Sequence, residues 1–321
     1  MKGTVERIVC TLLWVITVTL LPGPPQAGAT EKSVTVGNKN FTEQYIMGEL
    51  MKQLLENRGF RVDLRSDLTS MALRGGMESG DIDLCADYTG TAWMIHLKRE
   101  YKPGTDNNRL YRLVKEREKG NQFIWLHPTW NNNTYAMASW PAFAMKYQVA
   151  TLTDLAGLYK KKDGRIETFV NFEFSIRPDG LSALENFYGF EVAKKTLKAG
   201  TPGASLIALK EHKTEIAMVF GTDASIAKHG WHVYRDDQSF FPPYDLTPYV
   251  RKDVLDKYPQ MADIINELVA TFPGGGKPAS PVIVSECQGV WRQLNAEVDI
   301  ERMEPGEVAE KYLIEHGLIK R

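Results

Sequence analysis

The chain is poor in the residues that reactive sites use most. It has three cysteines and six histidines in 321 residues, and 39 basic side chains balance 40 acidic ones. A net charge of −1 removes the basic excess that nucleic-acid binding requires. The chain has no G-x-S-x-G nucleophile turn, no H-E-x-x-H helix and no phosphate-binding P-loop. His229 and His232 stand three apart with no further ligand set beside them, and Cys85 has no histidine partner in sequence. These absences argue against a hydrolase, a metalloenzyme or a cofactor enzyme, and neither a metal nor a cofactor is expected.

Long apolar runs are also scarce. The run from Ile8 to Leu21 is 14 residues, preceded by Lys2 and Arg7 and followed by the small-x-small site Ala27-Gly28-Ala29. About 20 apolar residues are needed to span a bilayer, so this pattern predicts a signal peptide (1–29) cleaved near Ala29 and export to the periplasm. Cys10 would leave with it. Cys85 and Cys287 then remain in an oxidising compartment, either as a disulfide or as two buried thiols, and both readings stay open.

What the chain does have is alternation. "SVTVGN" reads as a strand, and Asn40 with Glu43 three residues later reads as the capped start of a helix. Ile46, Met47, Leu50, Met51, Leu54 and Leu55 recur at helical spacing, and Gly59 stops the helix. "FRVDLR", "SMALRGGMESG" and "DIDLCAD" continue as strand, helix and strand. A second run, "NTYAMAS", "TLTDLAGLY", "ETFVNFEF", "RPDGLSALENFYGF" and "TEIAMVFGTD", repeats the alternation. "SFFPPYDLTPYVRKDVL" reads as a linker, and the helices beyond it have no sheet of their own.

The fold class is therefore α/β with a largely parallel sheet, arranged as a two-lobe binding protein with a discontinuous first lobe. Lobe I is expected to span 30–130 plus 246–321, and lobe II 131–245. In such folds ligands gather between the lobes at strand ends and crossing segments. Four aromatics stand at such places: Tyr88 in "DYTGT", Tyr135 in "NNNTYAM", Phe220 in "MVFGTD" and Tyr244 in "FFPPYD". Gly90 and the threonines beside Tyr88 predict a turn where the backbone comes close to something.

"VGNKNFTEQYIMGELMKQLLENRGF" followed by "GDIDLCADYTGTAW" resembles the substrate-binding proteins of osmoprotectant ABC importers. The likeness continues through "NNTYAMA", "FSIRPDGL", "FFPPYDLTPYVRKDVL" and the C-terminal "LNAEVDI". The resemblance implies a non-enzymatic protein that binds glycine betaine, choline or a related quaternary amine and delivers it, as a monomer, to a membrane permease. It implies a cage of Tyr88, Tyr135, Phe220 and Tyr244 around the trimethylammonium head. Lys39, Arg177 and Thr91 would hold the carboxylate, with Asn133 near the head group. Phe220 departs from the family's more usual tyrosine and loses its hydroxyl.

The chemistry is coherent on its own terms. A quaternary ammonium has no N–H to donate, so ring faces recognise it by cation–π attraction of roughly 0.5–2 kcal/mol each. A carboxylate calls for a guanidinium fork or a helix N-terminus. Choline, carnitine or another cationic solute is the alternative ligand, and a secreted enzyme using the same cleft is the alternative class. Asp87 either faces the cation or holds the turn; the turn is the expectation.

Overall fold

A computed structural model describes residues 32–320. The expected signal peptide and Cys10 lie outside the described residues. Ten strands form two five-stranded sheets among the described residues. The first has the order β2 (Phe60–Leu68), β1 (Lys32–Lys39), β3 (Leu84–Tyr88), β10 (Leu246–Arg251) and β4 (Phe123–Trp125). The second has the order β7 (Leu197–Gly200), β6 (Thr168–Asn171), β8 (Ile216–Phe220), β5 (Tyr135–Ser139) and β9 (His232–Val233). Each sheet pairs three strands in parallel and adds two more through antiparallel pairings.

The first sheet takes its stability from a helix built on the expected apolar stripe. Ile46, Met47, Leu50, Met51, Leu54 and Leu55 of the helix Thr42–Asn57 are fully buried, facing β1, β2 and the helices Gln260–Ala270, Pro281–Asp299 and Pro305–Glu315. Burial of each large apolar side chain in this seam contributes about 1.5–3 kcal/mol. The helix starts one residue later than expected. Phe41, in extended conformation, is its N-cap without any side-chain cap bond, and Asn40 caps nothing. Cys85 and Cys287 are free and buried, the thiol alternative of the two.

The segment that reads as a linker contains β10, a central strand of the first sheet. Pro248 hides it, because a proline inside a strand normally argues against one. Leu126 N–H donates to the Pro248 carbonyl (2.9 Å), but proline cannot return the bond. The Tyr111 hydroxyl donates to the Leu126 carbonyl instead (2.6 Å), so that carbonyl is satisfied where the ladder ends. In the second sheet, "ETFVNFEF" is not one strand. β6 stops at Asn171, whose side-chain oxygen accepts from Phe174 N–H (2.6 Å) and starts the short helix Phe172–Ile176.

The chain crosses from the first sheet to the second through 126–134 and returns through 234–245. The run Asn131–Asn133 clips the two crossings together. Asn131 Oδ1 accepts from Leu246 N–H (2.9 Å), Asn132 Oδ1 from Tyr244 N–H (2.9 Å), and Asn133 N–H donates to the Tyr244 carbonyl (2.8 Å). Three consecutive asparagines thus fix the place where Tyr244 leaves the second crossing.

Candidate functional site

Tyr88 ends β3, Phe220 ends β8, Tyr135 opens β5 and Tyr244 sits two residues before β10. Together with Lys39, Thr91, Asn133 and Arg177 they line one small cavity of about 30 Å³ between the sheets. That is room for about one or two waters. The rings pack on one another: Tyr135 meets Tyr244 edge-on at 5.4 Å and Phe220 at 5.3 Å. Phe220 stacks on Phe41 at 5.4 Å, and Phe41 on Tyr88 at 6.1 Å. Phe41 is not among the residues expected from the sequence, because it lies inside a motif whose charged neighbours carry the stronger signal. Beyond Phe41 and Phe220 opens a second cavity of about 430 Å³, lined by Glu43, Asp223, Asp299 and Lys210 among others.

Gly90 explains itself here. A Cβ at this position would fall 2.7 Å from the Tyr244 ring and 2.9 Å from the Pro243 carbonyl. Immediately after β3 the chain makes a single helical turn, Thr89–Thr91, running into a π-helical turn, Ala92–His96, rather than an open turn. Thr89 fastens it to the second crossing, donating its hydroxyl to the Pro243 carbonyl (2.9 Å) and accepting from Asp245 N–H (3.1 Å).

The two cations are already paired. Lys39 Nζ lies 2.5 Å from Asp87 Oδ1 and 5.2 Å from the centre of the Tyr88 ring. Asp87 also accepts from Tyr88 N–H (2.7 Å) and contacts His96 Nε2 (2.9 Å). Burial opposes its ionisation, but the Lys39 ammonium and His96 hold its carboxyl well below the usual range. Asp87 thus orients Lys39 and steadies the chain at Tyr88. Arg177 forks onto Asp179 (2.7 and 2.6 Å), reaches Glu173 at 3.1 Å and donates twice to the Thr91 hydroxyl at 3.4 Å. All five of its N–H donors are engaged. Its guanidinium lies over the rings of Tyr135 at 5.3 Å and Tyr244 at 6.0 Å.

Glu43 departs furthest from its expected role. Instead of closing a cap, its fully buried carboxylate accepts hydrogen bonds from Tyr88 Oη (2.8 Å), Asn131 Nδ2 (2.8 Å), Asn133 Nδ2 (3.1 Å) and Thr222 Oγ1 (2.6 Å). These donors come from the end of β3, the first crossing and the loop after β8. Burial raises its carboxyl to about 7 even though all four bonds favour the ionised form. Its neighbour Asn133 is shared, since Asn133 Oδ1 also accepts from Thr222 N–H at 3.3 Å.

Two α/β sheets joined by two crossings, with a ring-lined cavity between them, define the two-lobe class of solute-binding proteins. Residues 32–275 match the family described as the substrate binding domain of ABC-type glycine betaine transport system, and the chain belongs to that family. It is 30% identical to the glycine-betaine-binding protein of Pseudomonas aeruginosa, over 91% of this chain and 90% of that one. It is 29% identical to the glycine betaine-binding protein YehZ of Escherichia coli, over 96% of this chain and 98% of that one. A crystal structure of a glycine betaine/carnitine/choline ABC transporter superimposes with a TM-score of 0.67, covering 90% of this chain and 99% of the other at 24% identity. This likeness carries the fold. The chain is thus a substrate-binding protein of an ABC-type transporter, from a family of transport proteins and not of enzymes.

Proposed function

We propose that the protein captures a quaternary ammonium solute, glycine betaine or a close relative, between its two lobes and delivers it to an ABC permease. The convergence of Tyr88, Tyr135, Phe220 and Tyr244 on one cavity carries this reading. Ring faces from both sheets are what a cation without N–H groups requires. Lobe I takes 30–130 and 246–321, lobe II takes 131–245, and closure of one on the other assembles the cage, so that ligand selects the closed state. The protein acts in the periplasm as a monomer after removal of residues 1–29. The apolar run at Ile8–Leu21 supports that location, and among the described residues no helix is long and apolar enough to cross a membrane.

Lys39, Arg177 and Thr91 take the ligand's carboxylate in this reading, with Asn133 beside the head group. One observation favours a second ligand. Both cations hold internal acids, and the carboxyls of Glu43, Asp87, Glu173 and Asp179 outnumber Lys39 and Arg177 around the cage. A carboxylate ligand must share these cations with an internal acid, whereas choline, which has no carboxylate, need not. Calorimetric titration of glycine betaine, carnitine and choline separates the readings. Saturable binding with the carboxylate ligands ahead supports the first, choline ahead supports the second, and no binding of any of the three overturns both.

A further inference from the structure

The cage tyrosines are not equivalent at their hydroxyl ends. Tyr88 donates its phenolic proton to Glu43 Oε1 (2.8 Å), and Tyr244 donates to Asp179 Oδ2 (2.8 Å). Both acceptors are buried, with Asp179 only 2% and Glu43 1% exposed. Tyr135 makes no such bond among the described residues, and Phe220 cannot. A phenol that donates to a carboxylate moves electron density from its O–H bond towards oxygen and the ring. Hydrogen-bonded groups in a low-dielectric interior polarise one another in this way. The negative face of the aromatic quadrupole deepens, and that face is what a cation meets.

The two acids differ in how far their charge is compensated. Asp179 also holds the Arg177 fork, so much of its charge is neutralised. Every hydrogen-bond partner of Glu43 is an uncharged donor: a phenol, two amides and a hydroxyl. Four donors aimed at one carboxyl suit the ionised form, which has acceptor sites for all of them. Above about pH 7, where Glu43 is ionised, its charge therefore reaches the Tyr88 hydroxyl with no counter-ion among its own hydrogen-bond partners, although Lys39 Nζ lies 5.2 Å from the ring centre.

We propose that Glu43, and more weakly Asp179, are positioning residues that act through the Tyr88 and Tyr244 hydroxyls to make the cage select a permanent cation over an uncharged molecule of the same shape. This rests on the ring cage proposed above. The probe pair is choline and its neutral carbon analogue, in which a tert-butyl group replaces the trimethylammonium. The quantity measured is the ratio of their affinities by calorimetry.

Glu43→Gln is expected to lower that ratio about fivefold or more while the carbon analogue changes by less than about twofold. Tyr88→Phe is expected to do the same, and adding Glu43→Gln to Tyr88→Phe is expected to change little further. An equal loss for both ligands would show a purely structural role and overturn the proposal. So would a Glu43→Gln effect undiminished in the Tyr88→Phe background, since the charge would then act without the ring. Should Glu43→Gln fail to fold, Tyr88→Phe decides alone, and an unchanged ratio there overturns the proposal. Wild-type protein that bound neither choline nor glycine betaine would instead overturn the cage itself.

Discussion

Each half brings to the ring-lined cavity one buried cation locked to one buried acid, and the two pairs are built differently. Lys39–Asp87 joins the ends of adjacent strands β1 and β3, and His96 backs it from the same half. Arg177–Asp179 starts beyond β6 but reaches out of its sheet, to Thr91 after β3 and to Tyr244 on the second crossing. One pair stays within its half and the other is a bridge. A buried pair broken on one side leaves an unpaired charge, so breaking either should cost stability, and breaking the bridge should also change ligand choice.

The largest effect should fall on neither pair. Tyr135→Ala removes the ring that touches Phe220, Tyr244 and the Arg177 guanidinium, and calorimetry should show affinity for the preferred quaternary amine reduced by about 100-fold or more. Next, Lys39→Met strands Asp87 without its main counter-charge. Denaturant unfolding should register a loss of about 3–5 kcal/mol. A loss under about 1 kcal/mol would count against the Lys39–Asp87 pair as a structural element. Arg177→Ala likewise leaves a buried acid, Asp179, with only the Tyr244 hydroxyl, and should in addition remove any preference for carboxylate ligands over choline. An unchanged ranking would count against the bridge as a ligand contact.

The smallest effect is a matter of pH. Burial raises the Glu43 carboxyl to about 7 in the folded protein, so the folded state binds its proton more tightly than the unfolded chain. Its contribution to stability is complete below the ordinary carboxylate range and is lost as pH rises towards 7. Asp223 and Asp245, also raised to about 7 by burial, act in the same direction. Asp87 has the opposite sign, and its contribution is lost only in strong acid. Melting temperature should therefore decline between about pH 5 and 7, and Glu43→Gln should flatten part of that slope.

Of the eight residues around the cavity, Tyr88, Tyr135, Phe220 and Tyr244 were legible as aromatics at strand ends, which show as breaks in a pattern, whereas Lys39, Thr91, Asn133 and Arg177 came from the family resemblance. The tight place at Gly90 was legible for a related reason, since only a close approach calls for glycine between two threonines. Glu43 was not, because an acid three residues after an asparagine has the same spacing whether it caps a helix or points into the core. Its partners are Tyr88, Asn131, Asn133 and Thr222, between 45 and 179 residues away. Strand β10 was hidden for the same reason: its pairing with β3 and β4 is long-range, and its local composition speaks for a loop.

Pro248 and Tyr111 form a unit of inheritance that neither residue reveals alone. Tyr111 supplies the donor that proline lacks, from 137 positions earlier in the chain. A lineage that regained an N–H at position 248 would leave the Tyr111 hydroxyl redundant at the Leu126 carbonyl. A lineage that kept Pro248 and lost that hydroxyl would orphan the carbonyl. The two positions should therefore drift as a pair, and homologues that differ at one should tend to differ at the other.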